Sequence, residues 1–250
     1  MKIVWKISQS DTRAIKNIVK KYEDHPMIRD RIKRNLSETK PIVSQSRFWR
    51  GLVGALLTTQ QRSGPKSAVS SLINMKPFPL SYNVCVRQRT KQAFFQKTLF
   101  QFGGIRRHET IADELAENLA MLQNGLWAEL NRELRTLCVP ATREQERAVA
   151  EFLDDNLKGL GPKQARNVLQ ALGLTRYEIP IDSRITKWLN ELPFPVRLGA
   201  AGLADRHYYG FVLDGICHLC DASDVYPCIM DAAVFASFDG DGWTPENVGW

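Results

Sequence analysis

A lysine and an aspartate are the residues in this sequence best suited to chemistry. Lys163 directly follows Pro162, which favours the first turn of a helix, and there a positive charge opposes the helix dipole. A lysine acts as a nucleophile only when neutral, and both the positive helix end and partial burial lower the pKa of its amine. Local stability gives no reason for this lysine, so we interpret it as a candidate nucleophile. The alternative is an exposed lysine whose amine turns into water.

Asp182 is the candidate acidic partner of that lysine. It stands directly before a segment in which Ile185 and Leu189 recur at helical spacing. An aspartate at this position caps a helix by accepting hydrogen bonds from its free N–H groups. A carboxylate fixed beside a lysine also stabilises positive charge that develops on a sugar when a substituent departs. The two roles are compatible, and we predict both.

Two glycines before the lysine predict a site for a phosphate group. Gly159 and Gly161 flank Leu160 in a predicted tight turn that needs backbone freedom, and the helix begins directly after it. Free N–H groups at a helix start lie at the positive end of its dipole, which suits a phosphate. The spacing lacks the wider glycine pattern and the Lys-Ser/Thr pair of a nucleotide-binding loop. We therefore predict that the backbone of a nucleic acid is held by Lys158, Gly159, Leu160 and Gly161; the alternative is an ordinary corner between helices.

The elements that must position these residues are predicted to be helices. Apolar residues recur at helical spacing through most of the chain. Breaks at glycines and prolines divide it into about nine or ten short helices. Gly173 is predicted to end the helix that begins at Pro162. Residues 1–7 form the single plausible strand, and residues 177–181 are predicted to be an extended linker.

The overall charge favours an anionic partner. The chain has 250 residues, and 34 Lys and Arg against 27 Asp and Glu give a formal net charge of +7. This excess suits nucleic acid or an anionic membrane surface, although a merely basic globular protein is the alternative. No apolar run is long enough for a signal peptide or a bilayer span, so we expect an intracellular protein that does not bind a membrane. The clustered basic residues, whose usual role is a solvated face, are Lys16, Lys20, Lys21, Arg29, Arg31, Lys33, Arg34, Arg87, Arg89, Lys91 and Lys97.

Cysteine and aromatic residues leave further roles open. Five cysteines in a chain without an export signal indicate reduced thiols rather than a disulfide framework. A zinc site would take its ligands from Cys217, His218, Cys220 and Cys228. Buried thiols are favoured instead, because Cys217 and His218 are adjacent in the chain, an awkward spacing for two ligands of one zinc ion. Aromatic residues that either stack on a ligand or pack in the core are Phe48, Trp49, Trp188, Phe211, Trp243 and Trp250.

Three segments together resemble a known family. GLGPKQA, which contains Lys163, and IPIDSRI, which contains Asp182, resemble the helix-hairpin-helix and catalytic-aspartate signature of the endonuclease III and 8-oxoguanine DNA glycosylase superfamily. The upstream segment FWRGLVGALLTTQQRSGPKSA resembles the part of that superfamily that enters the duplex. It places Gln60 at the wedge position that fills the gap left by a flipped base, with Gln61 as the neighbouring candidate. The resemblance extends over residues 48–189.

The resemblance implies an all-α, two-lobed protein with a DNA-binding cleft between its lobes. Residues 50–175 form one lobe, and residues 1–49 and 176–250 form the other. A damaged base rotates out of the duplex, because C1′ cannot be reached inside the stack. Lys163 attacks C1′, Asp182 assists, and the resulting Schiff base permits strand cleavage by β-elimination, so glycosylase and AP lyase activities are combined. The implied partner is double-stranded DNA with a damaged base; no cofactor or metal is needed, and we expect a monomer.

The lesion is the least determined part of this interpretation. Superfamily members with an iron–sulfur cluster carry four cysteines near the C-terminus, whereas this chain has Cys217, Cys220 and Cys228 with a different spacing. This difference favours 8-oxoguanine as the lesion. An oxidised pyrimidine is the alternative within the superfamily. A noncatalytic module that uses the hairpin only to hold DNA is the alternative outside the enzymes.

Overall fold

The computed structural model describes residues 4–192, 194–238, 242–245 and 248. This part of the chain is all-helical, as predicted, and contains no β-strand. Its helices are α1 (Gln9–Lys21), α2 (Pro26–Asn35), α3 (Gln45–Leu57), α4 (Ala68–Ile73), α5 (Tyr82–Val86), α6 (Lys91–Phe102), α7 (His108–Met121), α8 (Trp127–Thr136), α9 (Arg143–Asn156), α10 (Pro162–Ala171), α11 (Ser183–Glu191), α12 (Arg206–Ala222) and α13 (Pro227–Phe238). A π-helical turn, Leu122–Leu126, joins α7 to α8, and a 3-10 turn, Gly202–Ala204, precedes α12.

The described residues contain thirteen α-helices, more than the about nine or ten predicted from glycine and proline breaks. The predicted number is too low, and side-chain caps mark several of the helix starts. Ser8, Ser44, Ser67 and Thr142 each accept a hydrogen bond from a backbone N–H in the first turn of the helix that follows. Ser8 begins a helix with no glycine or proline nearby, whereas Ser67 and Thr142 follow Gly64-Pro65 and Pro140.

The predicted N-terminal strand is wrong over its described residues, because residues 4–7 have no strand structure. A single short strand has nothing to pair with in an all-helical chain. Trp5 instead packs its ring against Phe194 and Phe211, with centroid separations of 5.7 and 5.0 Å. Gly215 of α12 permits this contact, since a Cβ there would lie 2.6 Å from the Trp5 ring.

One hydrophobic cluster, the central cluster, contains buried residues between Val43 and Leu174. Its middle is α3, where Phe48 and Trp49 are fully buried, and the Trp49 indole donates to the carbonyl of Leu80 at 2.8 Å. These two aromatic residues therefore belong to the core and are not stacking groups. Helix α10 packs directly on α3 and α9, so the central cluster fixes the helix that carries Lys163.

A second hydrophobic cluster, the terminal cluster, combines Ile15 and Ile28 with buried residues from Ile179 to Val234. Helix α13 packs against α1, α2, α11 and α12. Along the chain the core changes from one cluster to the other between Leu174 and Ile179, within the linker that precedes Asp182. The division into lobes at residues 49/50 and 175/176 stays a prediction. No helix in the described ranges is long and apolar enough to cross a membrane.

Candidate active site

The turn between α9 and α10 forms the hairpin that the sequence predicts, and α10 begins at Pro162. Gly159 has φ +76°, and a Cβ there would lie 2.4 Å from the Glu114 side chain and 2.7 Å from that of Leu56. Glycine is therefore required at this position. Gly161 differs, because its φ of −122° is accessible to any residue and a Cβ would meet nothing within 4 Å. The predicted need for backbone freedom is wrong for Gly161, which instead leaves open space in front of the helix.

Asn118 on α7 holds the hairpin in place. Its amide donates to the Lys158 carbonyl at 3.0 Å, and its carbonyl accepts from the Lys158 N–H at 2.9 Å. The Lys158 side chain is exposed, whereas the side chain of Leu160 is buried in the central cluster, so only the backbone of Leu160 can meet a ligand. Sequence analysis missed Asn118, although a polar residue among the apolar positions Leu115 and Leu119 is a signal for it.

Alanine substitutions at the two glycines are expected to have different effects, one on stability and the other on DNA binding. Gly159→Ala is expected to lower the free energy of unfolding by at least about 1–2 kcal/mol, because a left-handed residue acquires a Cβ. Gly161→Ala is expected to leave stability unchanged and to weaken DNA binding several-fold, because a methyl group occupies the space that a phosphate needs. Thermal unfolding and duplex titration of both variants measure this. Unchanged binding by Gly161→Ala contradicts the predicted phosphate contact.

Lys163 lies in the first turn of α10, is half-buried, and lines an open cleft. Burial lowers the pKa of its amine below the usual lysine value, as the sequence predicts. The charge of Asp182 opposes this shift, Arg184 lowers the pKa further, and Asp231 raises it. Within the described residues, no carboxylate lies within 4.0 Å of the Lys163 amine. These surroundings shift the Lys163 amine towards its neutral form relative to a lysine in water.

Asp182 caps α11 and lines the same cleft. Its Oδ1 accepts from the N–H groups of Arg184 and Ile185 at 2.8 and 3.0 Å. Its Oδ2 accepts from Nε of Arg184 at 2.9 Å, and that guanidinium lies 3.7 Å from the centroid of the Phe235 ring. The capping role is confirmed. The cap fixes the carboxylate at the edge of the cleft in which Lys163 lies.

Asp231 on α13 is a second carboxylate of this cleft, and sequence analysis missed it. Only 6% of its surface is exposed. Its Oδ2 accepts from the Gln170 amide at 2.8 Å and lies 3.7 Å from the guanidinium of Arg31. Burial raises the pKa of Asp231 to about 6, although the charge of Arg31 opposes the shift. Arg31 is correspondingly buried and is not part of a solvated basic face. An aspartate inside the apolar segment PCIMDAAVF was the available signal.

The loop between α3 and α4 distinguishes the two wedge candidates. Gln60 is exposed and has φ +57°, a conformation that is uncommon for a residue other than glycine. Gln61 is half-buried, donates to the carbonyl of Leu57, and accepts from the Arg106 N–H at 2.8 Å. The Gln61 side chain therefore ties its loop to the loop between α6 and α7. Gln60 is the residue whose side chain is free to extend from the loop.

The remaining aromatic and cysteine candidates divide between core and cleft. Trp243 lines the cleft beside Phe235, with ring centroids 5.7 Å apart. Trp188 and Phe211 pack against the terminal cluster, and Trp250 lies outside the described residues. All five cysteines are free thiols, and burial raises the pKa of Cys217 and Cys228 to about 12. No cluster of potential metal ligands occurs within the described ranges.

The cleft brings together six of the eight predicted site residues, which are Gln60, Gln61, Gly159, Gly161, Lys163 and Asp182. Leu160 and Lys158 do not line it. The cleft is bounded on one side by α10 and the loop after α3, and on the other by α11 and α13. This arrangement presents an amine with a lowered pKa, two carboxylates and a set of free helix N–H groups to one ligand. It can hold a phosphate and attack an electrophilic carbon beside it.

Comparison with known proteins defines the fold. No protein-family model matches the chain, and no curated protein matches its sequence. The 8-oxoguanine DNA glycosylase of Methanocaldococcus jannaschii has a similar structure, with a TM-score of 0.69 and 16% identity over 94% of this chain and 98% of that one. The 8-oxoguanine DNA glycosylase of Thermotoga maritima is also similar, with a TM-score of 0.66 and 15% identity over 92% of this chain and 98% of that one. The M. jannaschii glycosylase/lyase bound to 15mer DNA containing 8-oxoguanine has a TM-score of 0.68 and 15% identity over 93% of this chain and 100% of that one.

The chain thus has the helical fold of these 8-oxoguanine DNA glycosylases, as the sequence motifs predict. The similarity covers more than nine-tenths of the chain in each comparison. It therefore extends over most of both hydrophobic clusters.

Proposed function

We propose that this protein is a DNA glycosylase with AP lyase activity that excises 8-oxoguanine from double-stranded DNA inside the cell. The observation that carries the proposal is the placement of Lys163 and Asp182 in one cleft, with burial lowering the pKa of the lysine and the aspartate fixed by its helix. The fold supports it, since the three similar structures named above are 8-oxoguanine glycosylases. The enzyme acts as a monomer without a metal or cofactor.

Lys163 supplies the nucleophile in this reaction. Its neutral amine forms a bond to C1′ while the bond from C1′ to the base breaks, and the base leaves with that electron pair. Asp182 stabilises the positive charge that develops on the sugar. Loss of a proton from the lysine nitrogen and opening of the sugar ring give a Schiff base. Removal of a C2′ proton then expels the 3′ phosphate, which cleaves the strand.

The hairpin and the loop after α3 hold the duplex. The N–H groups at the start of α10 face a phosphate across the open space at Gly161, with Lys158 available beside it. Gln60 fills the gap that the flipped base leaves in the stack. These contacts read no sequence, which suits an enzyme that must find a lesion in any context.

The second carboxylate supports a purine lesion. Above a pH of about 6, Asp231 is ionised and only accepts hydrogen bonds. The edge of 8-oxoguanine with N1–H and the N2 amine presents two adjacent donors, which match a carboxylate. An oxidised pyrimidine such as thymine glycol presents one N–H between two carbonyl oxygens, and these oxygens repel a carboxylate. We therefore propose that Asp231 contacts the flipped base.

Asp231→Asn separates base recognition from lysine chemistry. We expect excision of 8-oxoguanine to fall about 10- to 100-fold, the effect of losing a hydrogen bond to a charged group. At a pH on the plateau, where Lys163 is neutral in both proteins, strand cleavage at a preformed abasic site should continue at the wild-type rate, because that substrate has no base to contact. Below the plateau the variant differs, since loss of the Asp231 charge lowers the pKa of Lys163. Single-turnover rates on both duplexes provide the measurement, and retained abasic-site cleavage shows that the variant is folded. Equal losses on the two substrates contradict the proposed contact.

A panel of substrates tests the function itself. Wild-type protein is incubated with duplexes that contain 8-oxoguanine, thymine glycol, uracil or an abasic site, and base release is measured separately from strand cleavage. The proposal predicts base release from 8-oxoguanine. Release from thymine glycol alone supports the oxidised-pyrimidine alternative, and binding without release from any duplex supports a noncatalytic module.

A further inference from the structure

Residues 178–182, the linker segment, carry Asp182 from the end of the central cluster into the cleft, and Tyr209 of α12 holds their middle. The Tyr209 hydroxyl donates to the carbonyl of Ile179 at 2.8 Å and accepts from the N–H of Ile181 at 2.6 Å. Tyr209 is fully buried, and burial raises the pKa of its phenol, so the hydroxyl remains a donor at any physiological pH. One side chain thus fixes the backbone on both sides of Pro180, directly before Asp182.

Glu178 fixes the start of the linker segment to two helices of the central part. Its Oε2 accepts from Nε of Arg166 at 2.6 Å, and its Oε1 accepts from Nε of Arg147 at 3.0 Å. Arg166 and Glu178 are each only 1% exposed, and the Arg166 guanidinium lies 4.6 Å from the centroid of the Tyr209 ring. A buried pair with both partners satisfied is geometrically restrictive, because neither charge can move without losing its partner.

The same arginine belongs to the helix of the candidate nucleophile. Arg166 lies one turn after Lys163 on α10, and it also donates to the carbonyl of Pro162 at 2.9 Å. A continuous chain of contacts therefore runs from the start of α10 through Arg166 to Glu178 and Tyr209, and from Tyr209 to the residue before Asp182. This chain of contacts connects the helix start that carries Lys163 to the backbone directly before Asp182.

We propose that Tyr209 is a positioning residue which, together with the Arg166 and Glu178 ion pair, sets the separation between Asp182 and Lys163. The inference rests on the proposed function of that pair and assigns a role to residues that touch neither DNA nor the base. Small displacements of reacting groups cost large factors in rate, so a fixed linker segment is of direct chemical value.

The charges around Lys163 provide a readout of this separation. The pKa of the lysine is lowered by burial, raised by Asp182 and Asp231, and lowered by Arg184. If the linker segment loosens and Asp182 moves away, the stabilisation of the charged amine decreases and the pKa of Lys163 falls. Asp182→Asn gives the full size of that fall. A role of Tyr209 in packing alone leaves the titration of Lys163 unchanged.

The test compares Tyr209→Phe with Tyr208→Phe. The hydroxyl of the neighbouring Tyr208 makes no hydrogen bond among the described residues, so its removal is the control. The pKa of Lys163 is measured by NMR after reductive methylation with ¹³C-formaldehyde, and its signal is identified by its absence in Lys163→Gln. Unmethylated protein is used for single-turnover excision of 8-oxoguanine and for the Kd of the duplex. Glu178→Asp, which shortens the carboxylate between the two arginines, is measured in the same way.

We expect Tyr209→Phe to lower the pKa of Lys163 and to reduce the excision rate about tenfold, with an unchanged Kd and no effect of Tyr208→Phe. Glu178→Asp should change the titration in the same direction, which covers the case in which Tyr209→Phe fails to fold. A Lys163 titration that is unchanged in the folded variants overturns the proposal, whatever the rate does. If wild-type protein excises nothing, the proposed function fails while the titration still tests the positioning.

Discussion

Replacement of Lys163 by glutamine is expected to abolish strand cleavage and borohydride trapping and to reduce base excision by on the order of 10³-fold or more, as for other enzymes that lose a nucleophile. The physical reason is that Lys163 combines a place in the cleft, a pKa lowered by burial and an electrostatic interaction with Asp182. Duplex binding should remain within a few-fold of wild type, because the hairpin N–H groups and Gln60 are unchanged. Single-turnover kinetics measure the excision rate, and a binding titration measures the Kd of the duplex.

The matched control for this variant is Lys6→Gln. Lys6 is exposed and does not line the cleft, so its replacement removes the same charge without affecting the proposed chemistry. Wild-type activity is expected for the control. Strand cleavage that persists in Lys163→Gln assigns the nucleophile to another amine, and the mechanism proposed for Lys163 is then wrong.

Replacement of Asp182 by asparagine is expected to slow base excision about 100-fold, the usual cost of removing one group that stabilises transition-state charge. Asparagine caps helices as well as aspartate does, so the hydrogen bonds to the first turn of α11 should persist and stability should change by no more than about 1 kcal/mol. The measurement is the single-turnover rate together with thermal unfolding.

The pH dependence of Asp182→Asn has a definite sign. Asp182 now raises the pKa of Lys163, so its removal lowers that pKa and increases the neutral fraction of the lysine at any given pH. The rate of trapping at an abasic site should therefore reach its plateau at a lower pH than in wild type, although the plateau is lower. A shift to higher pH contradicts the assigned interaction.

Asp205→Asn is the control for the capping role of Asp182. Asp205 is exposed and caps α12 by accepting from the Tyr208 N–H at 2.8 Å, outside the cleft. Its replacement should affect stability as little as Asp182→Asn does and should leave excision unchanged. If the two variants have the same activity, Asp182 acts only as a cap.

The hairpin and its two candidate catalytic residues could be predicted from the sequence because their signals are local. Pro162 at a helix start, Gly173 with φ +75° at its end and Asp182 before an apolar repeat each depend on a few neighbouring residues. Resemblance to known motifs then gave the pairing of Lys163 with Asp182 in one cleft.

The supporting residues could not be predicted, because each depends on contacts between distant parts of the chain. Asp231 reaches the cleft only when α13 packs against α2 and α11, and Tyr209 meets the linker segment only when α12 folds against it. Gln60 and Gln61 are identical in type and adjacent. The folded chain distinguishes them, because the Arg106 N–H donates to the side chain of Gln61 whereas Gln60 is exposed.

The central claim is that Lys163 forms the covalent bond to DNA, and the most direct test is to map the adduct. Wild-type protein is trapped with sodium borohydride on a duplex containing 8-oxoguanine, digested with nuclease and trypsin, and analysed by mass spectrometry. Trypsin normally cleaves after Lys163, and an adduct there prevents this, so we predict a modified peptide covering residues 159–166. An adduct on any other lysine or on the N-terminal amine, or the absence of an adduct from active protein, contradicts the account.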